Sequence, residues 1–276
     1  MRRAQVLEAL ARHRGPLIMG VLNTTPDSFS DGGSWESVEA AVAHAEQMLI
    51  DGAHIIDVGG ESSRPGADPV PLDEEMRRTI PVIEALAGRC VMSIDTAKAE
   101  VADAALIAGA DIVNDITASL ETVAGEHGAG WIAMHKLGEP KTMQDDPKYN
   151  DVVAEVQASL VDFRQRAERA GVPELWVDPG IGFGKTTKHN LVLLRDLEKL
   201  TKVGARLAIG VSRKRFIGQI HSESDETAPD LARTGDRREG SVLAGVWSWS
   251  SGVHILRVHD VAPAAMAARL LVEQDA

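Results

Sequence analysis

The chain has 276 residues, and 29 Lys and Arg against 41 Asp and Glu give a formal net charge of −12 at pH 7. No window concentrates basic side chains enough to track a phosphate backbone, which argues against a nucleic-acid partner. The single cysteine, Cys90, leaves no internal disulfide framework and fits a reducing, cytoplasmic setting.

Residues 1–15, MRRAQVLEALARHRG, read as a helical N-terminal extension, because Glu8, Arg12 and Arg14 break the apolar residues before a signal-peptide core forms. No later run reaches membrane-spanning length, so no membrane partner is expected. From residue 17 short apolar runs recur: LIMGVL (17–22), AHIIDV (53–58), CVMSI (90–94), ADIV (110–113), WIAM (131–134), LWV (175–177), RLAIGV (206–211) and VHILRV (253–258). Runs this short and apolar on both faces suit parallel strands buried between a barrel interior and an outer helical layer. Segments with helical character follow them, at 36–51, 73–87, 98–108, 119–128, 151–170, 189–202, 239–251 and 261–273, the fourth being the weakest. Eight alternations predict a (β/α)8 TIM barrel forming one domain over 1–276, a fold that typically needs about 250 residues. Two intervals read as long connections: 136–150, and the charged stretch 219–238, which looks mobile.

In such barrels the site lies at the C-terminal strand ends. The polar groups there are Asn23, Asp57, Asp95, Asn114 with Asp115, His135, Asp178, Ser212 with Lys214, and Arg257 with His259. Any one Asp or Asn reads equally as a helix cap or turn former. Their convergence would be costly to arrange for stability alone, which points to a site for a polar heterocycle with an anionic tail. DPGIGFGKTT (178–187) resembles a phosphate-cradling loop but has three residues between Gly180 and Gly184, not four, so the nucleotide reading fails. The nine histidines form no zinc pattern. A hard cation shared by Asn23 and a substrate phosphate stays open.

The segments MGVLNTTPDSFSDGG (19–33), IIDVGGESSRPGA (55–67), SIDTAKAEVA (93–102), GADIVNDI (109–116), MHKLGEPKTMQ (134–144), DPGIGFGKTTKHN (178–190), GVSRKRFIG (210–218) and LRVHDV (256–261) together resemble the dihydropteroate synthases, in family order and over nearly the whole chain. The resemblance implies condensation of 6-hydroxymethyl-7,8-dihydropterin diphosphate with p-aminobenzoate, in folate biosynthesis, by an SN1-like route. It implies pterin contacts from Asp95, Asn114, Asp178, Lys214 and Arg257, and diphosphate contacts from Asn23, Ser63, Arg257 and His259, with Mg2+ at Asn23. Phe29, Pro65 and Ser212 would meet p-aminobenzoate, Asp27 and Arg64 would join Lys214 in catalysis, and the chain would form a homodimer. Asp57, just inside its strand, reads as a structural hydrogen-bonding group. WSWSSG (247–252), with two Trp on an outer helix, reads as core or oligomer packing. A methyl-transferring pterin barrel would not need TPDSFSDGG and SRKRF, and a non-catalytic pterin binder would not need Asp27, Arg64 and Lys214.

Overall fold

The computed structural model describes residues 2–24, 35–62, 68–138, 142–224 and 237–272. Asp27, Phe29, Ser63, Arg64 and Pro65 lie outside the described residues. Eight strands, β1 Leu17–Asn23, β2 Ile55–Gly59, β3 Met92–Asp95, β4 Ile112–Asp115, β5 Gly130–Met134, β6 Leu175–Asp178, β7 Arg206–Ile209 and β8 Ile255–Val258, pair in sequence order. Every pairing is parallel, and β8 returns to β1 to close the barrel. The expected single-domain (β/α)8 barrel is the fold.

The helices are α1 Arg2–Arg12, α2 Trp35–Ile50, α3 Leu72–Leu86, α4 Ala99–Ala108, α5 Glu121–Glu126, α6 Val152–Ala170, α7 Thr187–Arg195, α8 Leu197–Leu200, α9 Arg215–Ser224, α10 Arg238–Ser250 and α11 Val261–Val272. Two sequence expectations change. The helix expected over 189–202 breaks at Asp196, whose φ of −103° and ψ of 20° leave helical geometry, and resumes as α8. The first part of the stretch expected as a charged connection is α9, because Phe216 and Ile217 are buried and anchor it to the barrel. Of that stretch, residues 225–236 lie outside the described residues.

Strand alternation sorts the apolar residues into two cores. One parity, including Ile18, Leu22, Ile56, Val58, Met92, Ile94, Val113, Trp131, Val177, Leu207 and Leu256, packs outward against the helices. The other, Leu17, Met19, Ile55, Ile112, Ile132, Trp176, Ala208 and Ile255, packs with Leu7 and Leu10 of α1. The N-terminal segment is therefore no loose extension: α1 plugs one end of the barrel. Arg3 fastens it by donating to the carbonyls of Leu106 (2.6 Å), His127 (2.7 Å) and Ala110 (2.8 Å). Cys90 is only half-buried, and its thiol is pushed up to about 11, chiefly by burial and then by Asp111. Among the described residues, no helix is long and apolar enough to cross a membrane.

Candidate active site

The inward parity that fills the plug continues toward the C-terminal strand ends as polar residues. In β2 Asp57 follows Ile55 by two, in β4 Asn114 follows Ile112, in β6 Asp178 follows Trp176, and in β8 Arg257 follows Ile255. In β3 Ser93 and Asp95 have the same parity, since Ser93 pairs with Asp57 in register. Asp57 is completely buried and is the hub of this layer. It accepts from the Ser93 hydroxyl, from Asn114 Nδ2 (3.1 Å) and from Arg257 Nε (2.6 Å). Arg257 Nη2 then donates to Asp95 Oδ2 (2.6 Å), so one guanidinium bridges two carboxylates. Burial works against the Arg257 charge, but Asp57 and Asp95 outweigh it and hold its pKa above the ordinary value. Asp95 is pushed up to about 7 by burial, against the pull of Arg257. The structural role expected for Asp57 is thus a specific one: it orients Asn114 and Arg257.

Asn114 spends an N–H on Asp57, which leaves its carbonyl oxygen and second N–H for other partners. Asp178, 8% exposed, accepts from the Gly180 N–H at 2.7 Å through Oδ1. Burial raises its pKa, opposed by Gly180, Lys214, Lys185 and Arg257. The loop that follows carries Phe183, and the Lys214 ammonium sits 4.0 Å from the centre of its ring, a cation–π contact. Met134, Met143 and Phe183 cluster with Ile116 as an apolar wall beside these charges. Carboxylates, an amide and an ammonium beside an apolar wall suit a flat heterocycle rich in donors and acceptors.

His135, at the end of β5, does not present a free ring. Its Nδ1 is 2.9 Å from Lys185 Nζ, and burial, reinforced by Lys185, pushes its pKa down to about 3, so the ring is neutral. Asp115 also leaves the site. Its parity is outward, and its carboxylate accepts from the N–H groups of Thr117 (2.8 Å), Ser119 (2.6 Å) and Leu120 (2.8 Å) and from Trp131 Nε1 (3.1 Å). It shapes the turn before α5.

On the other side of the mouth, Ser212 Oγ lies 3.1 Å from His259 Nδ1 and accepts from the His259 N–H at 3.2 Å. Residues expected to meet different substrates therefore share one polar corner. Asn23 ends β1, half-buried, while the next residue, Thr24, donates its hydroxyl to the Gly59 carbonyl (3.1 Å) and ties β1 to β2. Lys98 bridges Glu61 and the fully buried Glu75, and Thr96 donates to Glu75 at 2.6 Å. Among the described residues, no group of three or more His, Cys, Asp or Glu is arranged to hold a metal.

The pattern of the family described as "Pterin binding enzyme" matches residues 19–259. The dihydropteroate synthase of Escherichia coli (strain K12) is 44% identical over 264 residues, covering 93% of this chain and 90% of that protein. The chain belongs to the dihydropteroate synthases. The fold agrees: Xanthomonas albilineans dihydropteroate synthase solved with 4-aminobenzoic acid has a TM-score of 0.84 at 42% identity, covering 95% of this chain and 94% of that one. The same bacterium's enzyme in complex with 7,8-dihydropteroate has a TM-score of 0.80 at 39% identity, each chain covered to 95%. As a dihydropteroate synthase it is a transferase of folate biosynthesis, condensing 6-hydroxymethyl-7,8-dihydropterin diphosphate with p-aminobenzoate.

Of the residues expected to act in that reaction, Asn23, Asp95, Asn114, Asp178, Arg257 and His259 lie at or next to C-terminal strand ends, and Ser212 and Lys214 lie in the connection from β7 to α9. Met134, Phe183 and Lys185 also border this layer; they lie within the motifs MHKLGEPKTMQ and DPGIGFGKTTKHN, but side-chain type alone assigns them no role.

Proposed function

We propose that the dihydropterin lies among Asp95, Asn114, Asp178 and Lys214, with the Arg257 guanidinium covering its face. The observation that carries this is the inward layer in which Asp57 orients Asn114 and Arg257 while, among the described residues, no hydrogen bond reaches Asp178 Oδ2. Asp178 accepts the amino group and ring N–H of the pterin edge as a pair, and Lys214 donates to its carbonyl or ring nitrogen. The diphosphate rests against Asn23, Ser63, Arg257 and His259. Asn23 offers one hard amide oxygen, which suits Mg2+ bound mainly through substrate phosphates rather than by a protein cage. Such an ion, when bound, neutralises charge that grows on the leaving diphosphate.

The methylene C–O bond breaks, its electron pair leaving on the diphosphate, and gives a cation delocalised into the electron-rich pterin. The amine of p-aminobenzoate then forms the C–N bond and loses a proton to the departed diphosphate or to water. Asp27 stabilises the cation and Arg64 fixes the loops that carry both residues. Phe29 and Pro65 wall the aromatic ring, and Ser212 meets its carboxylate end. Because the amine is a weak nucleophile, catalysis gains more from sheltering the electrophile than from a general base.

The test is to incubate the protein with both substrates and Mg2+ and to follow diphosphate release and dihydropteroate formation. Pterin binding without turnover would overturn the reading. Asp27→Ala is expected to lower kcat by about 100-fold, the scale of losing an electrostatic transition-state group, with pterin Kd nearly unchanged. Equal losses in both would move Asp27 from catalysis to binding.

A homodimer is supported by the outer face of α10 and α11. Leu243 and Trp247 on α10 are 69% and 54% exposed, and Met266 and Leu270 on α11 are 67% and 63% exposed. Trp249, by contrast, is buried, so the two Trp of WSWSSG divide between core and surface. Paired i, i+4 apolar residues on adjacent helices form the kind of patch that a second copy covers. Sedimentation should give a dimer for the wild type and a monomer for Leu243→Arg/Met266→Arg; a monomeric wild type at micromolar concentration would refute this.

A further inference from the structure

Lys185 is only 2% exposed, an unusual state for an ammonium. It takes three acceptors: His135 Nδ1 at 2.9 Å, the Phe183 carbonyl at 3.0 Å and the His135 carbonyl at 3.5 Å. Burial keeps the His135 ring neutral, and when Lys185 carries its proton the first contact places the Nδ1 lone pair of that ring toward the lysine. Lys185 thereby clamps the exit of β5 to the β6 loop, the segment that begins with Asp178 and carries Phe183. Two further carbonyls of that loop are held as well: Gln144 Nε2 donates to Gly182 at 2.6 Å and the Tyr149 hydroxyl to Gly184 at 3.0 Å. Lys185 is the one member of this set with a charge, and it lies in the field of both Asp178 and Lys214.

We propose that Lys185 is a positioning residue of the pterin site, its buried ammonium fixing the Asp178–Phe183 turn and, through the Phe183 ring, the place of the Lys214 ammonium. The chain of contacts is short. Lys185 holds the Phe183 backbone, the Phe183 ring carries Lys214 at 4.0 Å, and Lys214 reaches the pterin. Burial pushes the Lys185 ammonium down to about 7, with Asp178 pulling it up and Lys214 pushing it down, so this cation and the two groups that face the pterin share one electrostatic balance. A solvated loop lysine would have neither the burial nor the coupling.

The inference rests on the pterin reading above, and the two are separable by experiment. Calorimetry with the dihydropterin diphosphate is run on wild type, Lys185→Met, Lys214→Met and the double variant, alongside the KM for p-aminobenzoate. Wild type that does not bind the pterin would sink the pterin reading itself. Given wild-type binding, Lys185→Met is expected to weaken pterin affinity by about 30-fold, the scale for losing a hydrogen-bonded charge, and to leave the p-aminobenzoate KM within about threefold. Lys214→Met should then cost far less in the Lys185→Met background than in wild type, because the Phe183 ring that Lys214 sits over has already shifted. A purely structural staple would instead give additive losses, or lower kcat and both affinities together, and either result overturns the proposal. If Lys185→Met does not fold by circular dichroism, the same cycle is read with Lys185→Gln, which keeps a polar donor in the cleft.

Discussion

Replacing Asp57 with alanine is expected to cost about 3–5 kcal/mol of folding stability, the penalty for removing one partner of a buried ion pair. The magnitude follows from what is left behind. Arg257 Nε loses its acceptor at 2.6 Å, Asn114 Nδ2 its acceptor at 3.1 Å, and the Ser93 hydroxyl its carboxylate, at a position that is itself fully buried. Arg257 would keep Asp95 alone, and the guanidinium would be free to turn away from the pterin face. Pterin affinity should therefore fall together with stability. Asp57→Asn, which retains an acceptor for Arg257, should lose less of both. Denaturant unfolding of the three proteins decides the matter: a loss below about 1 kcal/mol for Asp57→Ala would mean that Arg257 and Asn114 find other partners.

The second large effect is expected at Gly180. Its φ of +67° already disfavours any side chain, at a cost of about 1–3 kcal/mol for a non-glycine residue. The more severe problem is space, because a Cβ there would lie 1.7 Å from the His135 carbonyl oxygen and 3.4 Å from Lys185 Nζ. The carbonyl is backbone and cannot swing aside, so the β6 loop must move. Gly180→Ala is expected to lose upwards of about 4 kcal/mol, or to fold with Asp178 displaced and pterin binding abolished. Gly128→Ala is the comparison: its φ is +57°, but nothing lies within 4 Å of the added Cβ, so it carries the conformational cost alone. Similar melting temperatures for the two variants would show that the loop yields easily.

Several parts of this architecture were legible in the chain. Short doubly apolar runs mark parallel strands because both faces of a barrel strand are covered, one by the interior and one by helices. The polar residues terminating those runs mark the mouth, and with the eight motifs in order they carried the resemblance that the comparisons bear out. Other parts were read less well. Asn114 and Asp115 stood together as candidates, yet adjacent strand residues face opposite ways, and only Asn114 points inward. Helix α9 was hidden because its buried residues, Phe216 and Ile217, are too few to dominate a charged neighbourhood. The α7 to α8 break at Asp196 left no proline or glycine to announce it.

What the sequence determined by itself was the strand periodicity, the barrel and the chemical kinds of group at its mouth, because these depend on residue type and on neighbours a few positions away. What the tertiary structure alone decided was which of those groups hold one another. Arg257 meets Asp57 across 200 residues of chain only because β8 closes against β1 and β1 lies beside β2. Lys185 becomes a buried amine only because the β6 loop folds onto the exit of β5. Hydrogen-bond partners and desolvation depend on distances through space, and those are set by the closure of the sheet rather than by local sequence.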